Sequence, residues 1–293
     1  MLKGILFDIT PTITQSKYLQ ELLRELELAG IKYTFSSMHA HSPTSVTTTS
    51  FSEEISILAL PPEKCLVLTD SAAGIRSAQS SNLPCIGYIP PGNSEAMTGA
   101  YALFEDFASI DTTYLRRMHA HATGYPAEIL TTERLLVREF SAADFPTLYS
   151  MCTEASTASC MDEQLSDYET ELEKHTAYLH SIYPLFDLAL WGVFEKSSGK
   201  LIGRAGFSLP DDNSDTFSLG YLIDVPYRKQ GYAKECIPAL LNYAKEQGYT
   251  TISAKIKKEN IASRRTLTGC VFPYTCKENL VTGILTYTIN LTM

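Results

Sequence analysis

The chain has 293 residues, more than one domain of about 100–200 residues usually holds, so two domains are expected. Hydrophobic residues make up 44% and charged residues 19%, a globular balance that lets each half bury a core. The net charge of -9 argues against the basic surface that general binding to nucleic acid or an anionic membrane needs, and neither partner is expected.

Met1 to Thr10 enters a strand-like pattern at once, without the charged and apolar regions of a signal peptide. No apolar run approaches the roughly 18 residues of a membrane span. The seven cysteines are odd in number and include no CxxC pair, which fits neither a secreted disulfide framework nor a zinc site. A cytoplasmic protein without a metal is expected.

Leu2 to Asp8 is a short apolar run ending in an acid, the pattern of a buried parallel strand. Gln15 to Gly30 reads as a helix, with Leu19, Leu22, Leu23 and Leu26 on one face and Gly30 as C-terminal cap. Ile31 to Phe35 is a second strand closed by Ser36 and Ser37, and Ala40 to Ser52 a Ser/Thr-rich loop. Cys65 to Asp70 is a third strand, Ser71 to Ser81 a helix and Cys85 to Ile89 a fourth strand. This alternation implies a parallel sheet, with Asp8, Ser36 and Asp70 at the carboxyl ends where such sheets hold ligands.

Asp111 to Glu128 is polar and contains Gly124 and Pro126. The expected division is a domain over 1–112, a linker over 113–128 and a second domain over 129–293. In the second, Arg134 to Phe140 is a strand, and Ala142 to Glu154 and Tyr168 to Ile182 are helices. Leu188 to Phe194, Leu201 to Leu209 and Phe217 to Ile223 are successive antiparallel strands, turning at Ser198-Gly199 and Asp211 to Asp215. Gly231 to Gln247 is an amphipathic helix, Thr250 to Ile256 a strand, Ala262 to Thr268 a helix and Ile284 to Leu291 a closing strand.

The stretch Arg228-Lys229-Gln230-Gly231-Tyr232-Ala233 joins a strand to the long helix. A glycine-containing turn there presents backbone N–H groups and the positive end of a helix dipole, a geometry that binds a pyrophosphate. With the bases Arg228 and Lys229, it resembles the acetyl-CoA loop (Q/R-x-x-G-x-G/A) of the GNAT superfamily. Leu219 to Ile223 looks like that family's fourth strand, Thr132 to Arg138 like the opening of its ribosomal-protein N-terminal acetyltransferase branch, and Asn260-Ile261-Ala262-Ser263 like that branch's N-x-x-S element. The resemblance implies a mixed, mostly antiparallel sheet flanked by helices, and acetyl-CoA as co-substrate. It implies that backbone groups of Tyr221 and Ile223 pair with pantetheine, that Arg228 to Ala233 hold the pyrophosphate, and that Asn260, with Ser263 beside it, contacts the pantetheine arm. Lys255, Lys257, Lys258, Arg264 and Arg265 are candidates for the 3′-phosphate. An amine acceptor, small molecule or peptide N-terminus, would attack the thioester directly, in a pocket built by Met151 to Pro184 and the strand ends.

The acid–base groups depart from that pattern. Ser218 stands where many relatives carry a Glu, and Leu267 where many carry a Tyr. Asp224, Glu195 and Asp215 remain as candidate carboxylates.

Gly4 to Thr12 resembles the first motif of haloacid dehalogenase (HAD) phosphatases, D-x-D-G-T, and Leu66 to Ile75 their fourth, with Ser36 fitting the second. The resemblance implies a Rossmann-like three-layer α/β core without a cap. Asp8 takes the nucleophile's place, but Thr10 stands for the general acid and Pro11 for the glycine. No Lys or Arg occurs between Tyr33 and Glu63, and Lys64 fits a surface position. His39 and His41 have no zinc spacing. A catalytically inactive HAD-like domain is expected, able to dock a protein partner or mediate self-association. The competing readings are a non-catalytic CoA-responsive scaffold and a residual Mg²⁺-dependent phosphatase at Asp8 and Asp70.

Overall fold

The first strand, β1 (Gly4–Asp8), is buried along its whole length in the computed structural model, which describes residues 1–9, 17–36, 51–89, 91–92, 96–158, 165–183, 188–209, 216–270 and 272–292. Two units separate between Ala127 and Glu128. In the first, β1 is followed by α1 (Lys17–Leu28), β2 (Lys32–Phe35), α2 (Ser52–Leu58), β3 (Cys65–Thr69), α3 (Ala72–Ser80), β4 (Cys85–Tyr88), β5 (Leu103–Phe104) and α4 (Thr112–Ala122). The sheet is parallel, in the order β2-β1-β3-β4-β5. One core joins Ile5 and Phe7 to the leucine face of α1 and to Leu115 and Met118 of α4. Another joins Leu6 and Val67 to Leu58, Ile75 and Ala78 of α2 and α3. Helices thus cover both faces, and the three-layer α/β arrangement follows.

Two helices depart from expectation. Ser52 opens α2 rather than ending a loop. Residues 113–128 are not a linker: Asp111 caps α4 by accepting the Tyr114 N–H at 2.7 Å, and Leu115 and Met118 enter the core of the first unit. His119 is buried there, its Nε2 3.0 Å from the Glu63 carbonyl. Burial lowers its pKa, so the neutral ring is a packing group.

The second unit runs β6 (Glu128–Thr131), β7 (Leu135–Arg138), α5 (Phe145–Thr153), α6 (Ala155–Ala158), α7 (Tyr168–Ser181), β8 (Leu190–Glu195), β9 (Leu201–Ser208), β10 (Ser218–Ile223), α8 (Tyr232–Glu246), β11 (Thr251–Lys257), α9 (Ile261–Thr268), β12 (Tyr274–Glu278) and β13 (Ile284–Asn290). The eight strands take the order β12-β13-β11-β10-β9-β8-β7-β6. Every neighbouring pair is antiparallel except β10 and β11. Trp191 anchors the core, edge-on to Phe207 and to Tyr243 of α8. No helix among the described residues is long and apolar enough to cross a membrane.

Ahead of α5, Asp144 accepts Arg138 Nη1 and Nη2 at 2.9 and 3.0 Å, and the Ser141 N–H and hydroxyl at 2.7 Å each. Burial raises the Asp144 pKa, but these bonds outweigh it and hold the group below its ordinary value. Its stabilisation is therefore complete above the unfolded carboxylate's pKa and lost as pH falls through the lowered folded value. Asp144→Asn is expected to cost about 2 kcal/mol at pH 7 and to reduce the loss of stability on acidification, measured by denaturant unfolding across pH.

Candidate active site

β10 and β11 share one register pair, Ser218 with Ser253. Beyond it, β10 runs on to Ile223 and β11 to Lys257 without pairing to each other, so the sheet forks. The alternation of an antiparallel strand decides which backbone groups face the fork. Asp224 N–H donates across β9 to the Ile202 carbonyl at 2.9 Å, whereas the Phe217 carbonyl accepts from Ser253 of β11. Leu219, Tyr221 and Ile223 therefore turn their backbone groups towards the fork.

The chain leaves β10 through Asp224, which caps a short 3-10 turn (Val225–Tyr227) by accepting the Val225 N–H at 2.8 Å. It then reaches α8 through two left-handed residues, Lys229 at φ 62° and Gly231 at φ 87°. Gly231 is the N-cap and has no side chain to accept the first helical N–H groups, which point out of the helix end without intrahelical acceptors. Gln230, between the two left-handed residues, donates from Nε2 to the Pro226 carbonyl at 2.8 Å.

Arg228 does not face this helix end as expected. Its Nε donates to the Ile223 carbonyl at 2.8 Å, and its Nη atoms to Ser156 Oγ at 2.8 Å and Thr157 Oγ1 at 2.5 Å. The guanidinium ties the end of β10 to α6. A different arginine lies over the loop. Arg134 donates from Nε to Glu235 Oε2 at 2.7 Å and from Nη1 to the Gln230 carbonyl at 3.1 Å, and its guanidinium stacks 4.4 Å from the Tyr232 ring centre. Glu235, in the first turn of α8, also accepts Thr132 Oγ1 and the Arg134 N–H, at 2.5 and 2.8 Å. Burial raises the Glu235 pKa, but these three donors pull it below its ordinary value.

Two of the candidate carboxylates are committed elsewhere. Glu195, at the end of β8, accepts the Tyr232 hydroxyl and the Ser198 hydroxyl, and these bonds lower its pKa, which makes it a weaker base. Asp224 caps its turn. Asp215 lies outside the described residues. Ser218 stands at the fork itself. Leu267 is buried in the core.

Across the fork, the Tyr221 hydroxyl meets Ser263 at the start of α9, 2.8 Å from its carbonyl and 2.6 Å from its Oγ. Burial pushes its pKa up to about 12, so it stays protonated at neutral pH. Asn260 caps α9 through Oδ1, which accepts the Ser263 N–H at 3.1 Å. Of the candidate basic residues, Lys258 pairs with Glu278 at 2.7 Å, and Arg264 donates to the Lys258 carbonyl at 3.0 Å.

In the first unit, Asp8 and Asp70 are buried at the carboxyl ends of β1 and β3, the strands flanking the point where strand order reverses. Asp8 Oδ2 accepts the Thr69 hydroxyl at 2.8 Å, and Ser36 Oγ donates to the buried Glu54 at 3.1 Å. Lys64 lies at the opposite, amino end of β3. Thr10, Pro11, His39 and His41 lie outside the described residues. Among the described residues, no three His, Cys, Asp or Glu converge where they could share a metal.

Residues 134–272 match the model of the acetyltransferase (GNAT) domain. Among curated proteins, the chain is 27% identical over 142 residues to the uncharacterized N-acetyltransferase YnaD of Bacillus subtilis (strain 168), covering 47% of this chain and 78% of that protein. It is 26% identical over 165 residues to the uncharacterized N-acetyltransferase p20 of Bacillus licheniformis, covering 53% and 85%. A solved GNAT-family acetyltransferase from Bacillus anthracis superposes with a TM-score of 0.48 at 20% identity, over 56% of this chain and 99% of that one.

Proposed function

We propose that this acyltransferase, whose residues 134–272 match the acetyltransferase (GNAT) domain, is an acetyl-CoA-dependent N-acetyltransferase acting on a primary amine. The observation that carries this reading is the fork between β10 and β11 beside the glycine-capped end of α8. Acetyl-CoA supplies an activated thioester. The helix end suits its pyrophosphate, through outward N–H groups with no Cβ in the way. The edge of β10 offers Tyr221 and Ile223 to an extended amide chain as a further strand would, although the Ile223 carbonyl already accepts Arg228. Asn260, with its amide N–H donors, stands across the fork.

The acceptor is a peptide N-terminus or a small amine. An alkyl amine with a pKa near ~10 must shed a proton before attack. With Glu195 and Asp224 engaged, catalysis rests mainly on positioning and on a backbone N–H donor at the fork.

The first unit we read as an HAD-like domain without phosphatase chemistry, serving in docking or self-association, and the whole protein as cytoplasmic. The Thr10 and Pro11 departures and the position of Lys64 support the loss of that chemistry. Calorimetric titration with acetyl-CoA tests the main reading. One-to-one binding in the micromolar range is expected, and no heat at millimolar ligand overturns it.

A further inference from the structure

A pyrophosphate held at the α8 end needs positive charge, and Arg228, the basic side chain best placed by sequence, is turned to Ile223, Ser156 and Thr157. We propose that Arg134, at the head of β7, takes that role and also fixes the loop's shape. The inference rests on the acetyl-CoA reading above.

Three observations carry it. First, Arg134 is anchored but not exhausted. Nε is held by Glu235 and Nη1 by the Gln230 carbonyl, while a Cβ built on Gly231 would lie 3.4 Å from Nη2. Nη2 thus stands on the open side of the N-cap glycine. A guanidinium has five N–H donors in a rigid fork, so two anchoring bonds leave others for a phosphate oxygen.

Second, Arg134 cancels an adverse charge. Glu235 lies in the first turn of α8, where a carboxylate suits the helix dipole but repels an anionic ligand. Pairing with Arg134 removes that repulsion and leaves the dipole and the N–H groups to act.

Third, Arg134 holds an unfavourable backbone. Lys229 is left-handed without being glycine, and Gly231 is left-handed two residues on. Gln230, between them, is pinned from both sides, by Arg134 on its carbonyl and by Pro226 on its amide. A loop fixed before the ligand arrives does not lose its freedom on binding.

The test compares wild type, Arg134→Gln, Arg134→Lys and Arg228→Gln. Acetyl-CoA affinity is read by calorimetry. Affinity for acetyl-pantetheine, which lacks the pyrophosphate, is read by ligand-observed NMR at millimolar concentration. Arg134→Gln is expected to weaken acetyl-CoA binding by about 10- to 100-fold, as for loss of a charge-assisted contact, and to leave acetyl-pantetheine binding within about twofold of wild type. Arg134→Lys keeps the charge without the fork and falls between wild type and Gln. Arg228→Gln loses less acetyl-CoA affinity than Arg134→Gln. Unchanged acetyl-CoA affinity in Arg134→Gln overturns the proposal. So does an equal loss for both ligands, which marks a merely structural role. A thermal melt separates unfolding from lost contact, and if Arg134→Gln is unfolded, Arg134→Lys decides by the same ratio of the two ligands. A wild type that binds neither ligand overturns the acetyl-CoA reading and this inference with it.

Discussion

Glutamate in place of Gly231 is expected to weaken acetyl-CoA binding by at least about a hundredfold, or roughly 3 kcal/mol. Two separate effects add. Gly231 sits at φ 87°, and an L-residue there costs about 1–2 kcal/mol. The new carboxylate would meet the ligand's own negative charge, or would take Arg134, whose Nη2 lies 3.4 Å from the new Cβ. Gly231→Ala carries only the first effect and is expected to lose about tenfold. Calorimetry on both variants, with circular dichroism to confirm folding, separates backbone from charge. Equal losses for Ala and Glu would mean that no anion is bound at this helix end.

Gly74→Ala is expected to remove about 3 kcal/mol of stability from the first unit, as overpacking of a tight interior does. Gly74 lies in the first turn of α3, and a Cβ there would stand 2.0 Å from Thr69 Oγ1 and 2.1 Å from Asp8 Oδ2. Neither is a flexible chain end: the two atoms are hydrogen-bonded to each other between buried strand ends. Ser71, which caps α3 by accepting the Gly74 N–H at 3.0 Å, holds the helix in that register. The methyl group therefore forces α3 off β1 and β3, or breaks the Asp8–Thr69 bond. Denaturant unfolding followed by amide exchange in residues 4–8 and 65–69 reads the loss where it arises. A loss under about 0.5 kcal/mol, the range of a neutral surface change, would show that the close approach is relaxed at little cost.

The elements that sequence reveals are those whose burial writes a period. The four leucines of α1 predict its inward face, and all four are buried. The run from Gly231 predicts α8, and Cys236, Ile237, Leu240, Leu241 and Ala244 line its core side. Elements without such a period escape. β12 is exposed at every residue from Tyr274 to Glu278, so no alternation marks it. In α4 the inward Leu115 and Met118 are surrounded by Arg116, Arg117, His119 and His121, which read as a polar junction.

The site divides in the same way. The glycine turn is local, so its motif is visible in six consecutive residues. Side-chain direction is not. Arg228 and Lys229 both read as charges on the loop, yet Arg228 turns to α6 while its neighbour is exposed. Arg134 and Glu235, which hold the loop, lie 101 residues apart. Their only sequence signals are the Thr132–Arg134 opening and an acid in a helix's first turn, and neither points to the other. Glu195 reads as a free carboxylate at a strand end until Tyr232 is seen to donate to it.

On the proposed function, the second unit transfers acetyl groups from acetyl-CoA to amines. The measurement that tests it most directly is release of free thiol from acetyl-CoA at steady state, with and without a panel of small primary amines and peptides with free N-termini. Sustained release that depends on an amine, and that Gly231→Glu abolishes, is the predicted result. Tight binding of acetyl-CoA with no amine-dependent release across the panel would contradict it.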